Sequence, residues 1–227
     1  MPLVELNIPP PAELLNGWSA LAAVCAARGW KTDVYATPGE WLYHDGGGNW
    51  VCLRFKSANQ AILIGHDHEY SDTYYGEAAT YFEEDETDLL ANVPEWWSFN
   101  LSPLPFGEWI GFVYGWDGET WQRAEYTLGD GFDDVGLLKA CSVNGTEGLR
   151  ELVADAPGLY TKSRKEKLLG GLYKGKGSVF SPPSQDALDA LVAAGPDMTS
   201  EQLEAVVPGW DIEAGLAAAR AFADAPI

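Results

Sequence analysis

Residues 41–65 read WLYHDGGGNWVCLRFKSANQAILIG, and their two-residue period decides the fold. Trp41–His44, Trp50–Phe55 and Ala61–Gly65 are short apolar runs. Between them stand Asp45-Gly46-Gly47-Gly48 and Ser57-Ala58-Asn59, both turn chemistry. Glycine supplies the positive φ that tight turns need, and Asp or Asn folds its side chain back onto the turn backbone. With Val34–Ala36 ahead of Pro38-Gly39, these runs predict an antiparallel meander from Trp30 to Gly65.

Outward from the meander the pattern changes. Leu14, Trp18, Leu21, Ala22 and Cys25 recur at helical spacing before Gly29, which predicts a helix over 11–28 with one buried face. Residues 76–91 are acidic and expected to be partly helical, and Pro94 to Phe106, with three prolines, reads as a loop. Glu108–Trp116 and Thr120–Thr127 flank Asp117-Gly118-Glu119 as a hairpin. Its first strand sets Trp109, Gly111 and Val113 against Ile110, Phe112 and Tyr114, so both faces should be at least partly covered. Beyond Gly145 the chain turns helical, with a short helix over Leu149 to Ala154. Ser184, Thr199 with Gln202, and Asp211 are N-cap signals for three further short helices. The expected fold is α+β: an N-terminal helix, an antiparallel sheet of about six strands and a helical C-terminal segment. The expected division is a main domain over 1–160, a basic Gly/Pro-rich connector over 161–183, and the helical segment 184–227, packed on the main domain.

Composition narrows the function. The 227 residues carry 34 acids against 14 Lys and Arg, a formal charge of −20. Such a chain repels nucleic acid, whose counterions only Lys and Arg displace, and it attracts basic partners in a salt-sensitive way. At 46% hydrophobic it is too apolar to be disordered. Cys25, Cys52 and Cys141 form no CxxC, which argues against a disulfide framework or zinc knuckle. Met1 to Leu15 has no basic n-region, and no run of about 18 apolar residues occurs, so the expected location is cytoplasmic, without membrane insertion.

Catalytic signatures are weak. His66 and His68 would share one face of an extended strand, and His44 ends a strand two hairpin steps earlier. With Asp45, Asp67, Glu69 and Asp72 they offer the ligand types of zinc or non-haem iron, the basis of an alternative reading as a metal-dependent hydrolase. The competing reading has His66-Asp67-His68-Glu69 closing a strand and hydrogen-bonding its own loop. Residues 170–176 fit GxxxxGK, but Gly177 replaces the Mg²⁺-binding hydroxyl and Pro182-Pro183 prevents the helix that a phosphate loop opens. No Gly-x-Ser-x-Gly elbow is present, and no cofactor is expected.

The strongest signal is a binding one. From His66 to Val135 there are seventeen Asp or Glu residues and one Lys or Arg, Arg123, interspersed with Trp96, Trp97, Trp109, Trp116 and Trp121. Carboxylates steer a cationic partner and aromatic rings anchor it. The candidate partner-binding residues are Glu83, Glu84, Asp85, Glu86, Asp88, Trp96, Trp97, Asp117 and Glu119. The order of helix, turn, meander with Asp45-Gly46-Gly47-Gly48-Asn49, and acidic loops over residues 10–140 resembles the immunity proteins of bacterial polymorphic-toxin systems. That resemblance implies a non-enzymatic inhibitor that binds a basic partner, such as a toxin or nuclease, and occludes it.

Overall fold

The computed structural model describes residues 3–30, 33–104, 109–141, 145–158 and 183–224, with side chains of 154–158 left aside. The chain divides into two compact units. Nearly all of the connector expected over 161–183, with its GxxxxGK stretch, lies outside the described residues.

The first unit comprises Met1–Leu14, Thr32–Leu137 and Ala221–Ile227. Its Pro11–Leu14 begins helix α1 (Pro11–Arg28), whose bounds match the expected 11–28. The unit is built on a seven-stranded antiparallel sheet: β1 (Val4–Leu6), β2 (Val34–Thr37), β3 (Glu40–His44), β4 (Trp50–Ser57), β5 (Gln60–His66), β6 (Phe112–Trp116) and β7 (Trp121–Arg123). The order is β1-β7-β6-β5-β4-β3-β2, so the meander continues into the hairpin and β1 closes the far edge. The count is seven rather than about six because β1 pairs with β7 across more than a hundred residues, Val4 opposite Arg123. Three residues are too few to show a period, and nothing near Val4 announces a partner so distant. β6 and β7 are also shorter than the expected runs. At the end of β7 the Arg123 Nη1 donates to the carbonyls of Ala124 and Tyr126, curling the chain out of the ladder.

Directly paired residues share a face, so register places the core. Tyr35, Leu42, Cys52, Ile64 and Val113 make one cross-strand row. With Trp50 and Ile62 that face packs against Leu89, Trp97 and Ile110. The opposite row runs Trp41, Leu53, Leu63, Tyr114. On that side Phe132 sets its ring edge-on to both Phe112 and Tyr114, and Phe222 lies 5.3 Å from Trp41. Both faces are covered, which is why β4 and β5 read as continuous apolar runs.

A charged side chain is buried against the sheet. Arg54, 3% exposed, is paired in register with Glu40 and donates from Nε to its carboxylate at 2.7 Å. Its other nitrogens donate to the carbonyls of Asn100 and, at 2.6 Å, Pro103. The guanidinium thus ties the loop after Trp97 to the sheet.

The second unit, Leu15–Lys31 with Leu138–Arg220, is helical among its described residues. It holds the rest of α1, then most of α3 (Leu137–Ala140), and α4 (Glu147–Gly158), α5 (Gln185–Ala194), α6 (Ser200–Val206) and α7 (Ile212–Arg220). The expected caps form. The Ser184 hydroxyl accepts from the Ala187 amide, Thr199 and Gln202 make a reciprocal capping box, and Asp211 accepts from the Ala214 amide. α1 departs from the single buried face expected of it: every residue from Gly17 to Arg28 is buried. Its small residues let backbone approach from several sides, since a Cβ on Gly17 would collide with Cys141 and one on Gly215 would lie 2.8 Å from the Ala23 carbonyl. No helix among the described residues is long and apolar enough to cross a membrane.

Candidate functional site

The acidic run is held by a closed loop. Tyr74 and Thr87 bond each other twice: the Thr87 amide donates to the Tyr74 carbonyl, and the Tyr74 amide to the Thr87 hydroxyl. Inside that closure the Gly76 amide donates to Glu86 Oε1 at 3.1 Å. Helix α2 (Glu77–Phe82) stands on the loop, burying Ala78 and Ala79. It stops at Glu83, which takes a left-handed φ of 59°, uncommon for a residue with a Cβ. The Thr73 hydroxyl donates to the Gly111 carbonyl and fastens the loop to the lead-in of β6.

This arrangement leaves aromatic rings outside. Among the described residues four large hydrophobic side chains are exposed, and two are neighbours here: Tyr81 at 70% and Phe82 at 46%. Tyr81 and Phe82 meet edge to face at 5.0 Å, and both touch the half-buried Trp109, at 5.4 and 6.0 Å. Tyr74 adds a fourth ring, 5.5 Å from Phe82. Glu83, Glu84, Asp85 and Glu86 follow directly, all exposed, and Asp88 is exposed two residues on. Among the described residues the ion pairs join Arg54 to Glu40, His68 to Glu69 and Lys139 to Glu151, and none reaches this run. Its field is felt nearby. The Tyr75 phenol is held above its ordinary value, by burial first and then by the carboxylates of Asp88 and Glu86.

The other expected binding residues lie elsewhere. Asp117 and Glu119 are exposed on the β6–β7 turn, where Asp117 Oδ1 accepts from the amides of Glu119 and Thr120. β6 is about 16 Å long, and it separates this turn from Trp109 and the acidic run at its other end. Trp96 is half-buried, with the Lys56 ammonium 5.5 Å from its ring. Trp97, expected at a partner surface, is instead 1% exposed with its ring against Gly115, so it fills the core. A Cβ at Gly115 would overlap its ring, and only glycine leaves room.

The histidines do not converge. His44, Trp50 and His66 form one cross-strand row. Trp50 therefore stands between the two imidazoles, which are two strand spacings, about 9–10 Å, apart. His44 Nδ1 accepts from the Gly46 amide at 2.9 Å. Asn49 Oδ1 accepts the His68 amide and meets the His68 Nδ1 at 2.9 Å, tying two loops together. Asp67 is 1% exposed and caps its own turn, accepting the amides of Glu69 and Tyr70. Among the described residues no group of three or more His, Cys, Asp or Glu could hold a metal ion.

Tyr81, Phe82 and Tyr74 were not among the expected site residues. The signal for the first two was present: Tyr81-Phe82 runs straight into Glu83, at the end of a short helix whose other apolar residues are small alanines. Compared with protein-family models, with curated proteins and with solved structures, the chain finds no match.

Proposed function

We propose that this protein is a non-enzymatic binding protein of the inhibitor or immunity type, which covers a basic protein partner such as a toxin or a nuclease. The observation that carries the reading is the exposed pair Tyr81 and Phe82, packed on the half-buried Trp109 and continuous with Glu83, Glu84, Asp85 and Glu86, none of these acids ion-paired among the described residues. Exposed rings without charge would invite indiscriminate association, and charge without rings would only keep the chain in solution. Together they supply the two parts of a specific encounter, long-range steering and buried anchoring area. A net charge of −20 strengthens the steering toward cations and repels polyanions. Occlusion follows: carboxylates pair with the cationic groups the partner uses on its own substrate, and the rings bury beside them.

The test uses the whole chain as bait against a panel of purified basic proteins, including a nuclease. A true partner associates more slowly once Glu83, Glu84, Asp85 and Glu86 are neutralised together, and more slowly in high salt, where the Debye length falls from about 10 Å to about 3 Å. Tyr81→Ala and Phe82→Ala instead raise the dissociation rate. Binding that survives both sets of changes would assign recognition to another surface.

A further inference from the structure

We propose that the Tyr81–Phe82–Trp109 platform seats an arginine of the partner, its guanidinium stacked on an exposed ring face while its N–H groups reach the carboxylates of Glu83 to Asp85. This rests on the reading just given and specifies its chemistry.

Ring geometry restricts what can bind. Neighbouring centroids lie 5.0 to 6.0 Å apart, so the rings already touch and leave no slot for an inserted ammonium. Phe82 stands edge-on to both Tyr81 and Trp109, at 84° and 71°, so the surface on offer is the outer face of Tyr81 backed by Trp109. Tyr81 and Trp109 are tilted by only 33°, and Tyr81 is 70% exposed, so a planar group can lie on it without moving anything. Guanidinium is planar and weakly hydrated, whereas the lysine ammonium is a compact, strongly hydrated charge.

The chain itself shows the difference. Arg28 sits 3.4 Å from the centroid of Trp30, and Arg123 sits 4.1 Å from that of Tyr126. Lys56 stays 5.5 Å from Trp96. The acids lie at the right end of α2. Its last turn contains no basic residue, and its carbonyl end adds negative potential where Glu83 and Glu84 begin. A stacked guanidinium would therefore find acceptors at the platform's rim.

The experiment is calorimetry at low salt with two peptides of equal length and charge, one bearing arginine and one lysine. The unchanged protein is expected to bind the arginine peptide at least about threefold more tightly. In Tyr81→Leu, which keeps the apolar bulk and removes the ring, that ratio should fall to about one. Tyr81 is largely exposed, so the variant retains its fold, checked by circular dichroism. Joint Glu83→Gln, Glu84→Gln and Asp85→Asn should weaken both peptides. Equal affinity of the unchanged protein for the two peptides, or a preference that survives Tyr81→Leu, would overturn the arginine assignment alone. Affinities unaffected by the joint neutralisation would overturn the basic-partner reading beneath it as well.

Discussion

Replacing Arg54 by Met keeps the apolar stem and removes three charge-assisted hydrogen bonds from one buried site. The donors lost are those to Glu40, Asn100 and Pro103. Breaking a fully buried pair costs about 3–5 kcal/mol, because the surviving charge is stranded. Here the stranding is incomplete: the Glu40 side chain keeps 24% of its exposure, and Asn100 and Pro103 lie in an exposed stretch where water can replace the guanidinium. The expected loss is therefore about 2–3 kcal/mol, a roughly 30- to 150-fold fall in the folding constant. Glu40→Gln should cost only about 1 kcal/mol, since its amide oxygen still accepts from Nε. Adding Glu40→Leu to Arg54→Met should cost little more than Arg54→Met alone, because the stranded carboxylate is then gone. Urea unfolding followed by tryptophan fluorescence measures these three and Glu40→Leu alone, which completes the cycle. A loss below about 1 kcal/mol for Arg54→Met, or strict additivity in the double variant, would show that the guanidinium does not hold this loop to the sheet.

Three further outcomes follow from single contacts. Gly115→Ala should destabilise the fold by about 1–3 kcal/mol, because the new methyl meets the Trp97 ring; unchanged urea unfolding would remove Trp97 from the core. The Tyr114 and Tyr126 hydroxyls both donate to Asp130 Oδ2 at 2.7 Å, and burial, followed by the Asp130 charge, pushes both phenols above the ordinary value of 10.0. Raised acids of this kind stabilise fully below pH 10 and lose that contribution as pH climbs beyond it, so Tyr114→Phe should flatten the alkaline fall in stability. Burial pushes the His66 imidazole below its ordinary 6.5, Asp67 opposing and His68 reinforcing. A depressed imidazole contributes fully above 6.5 and costs stability as pH falls under it, so the drop in urea midpoint from about pH 7 to about pH 5 should be smaller in His66→Gln; an identical drop would show that this imidazole stays as solvated as in the unfolded chain.

The meander was legible because its information is local. Pro38-Gly39, Asp45 to Asn49 and Ser57 to Asn59 each fix a turn, and a two-residue period between fixed turns leaves one register. The same holds for α1 and for the caps at Ser184 and Thr199. β1 was hidden because its partner is β7, and no local pattern encodes a pairing that distant. The histidines fail to gather for a related reason. Alternation would set His66 and His68 on one face, but β5 ends at His66 and His68 bonds Asn49, while cross-strand register puts Trp50 between His66 and His44.

Charge was read more easily than aromatic position, and the physics of burial explains why. A run of four consecutive acids has nowhere to go but outward, so Glu83 to Glu86 declare themselves. A ring can go either way, and what decides is the space opposite it. Trp97 goes in because Gly115, almost twenty residues away, leaves a gap that one indole fills. Tyr81 and Phe82 stay out because α2 is a six-residue helix whose inward positions are already taken by Ala78 and Ala79. Adjacent tryptophans therefore say less about which rings stay exposed than a short helix with small inner residues, bulky outer ones and acids at its end.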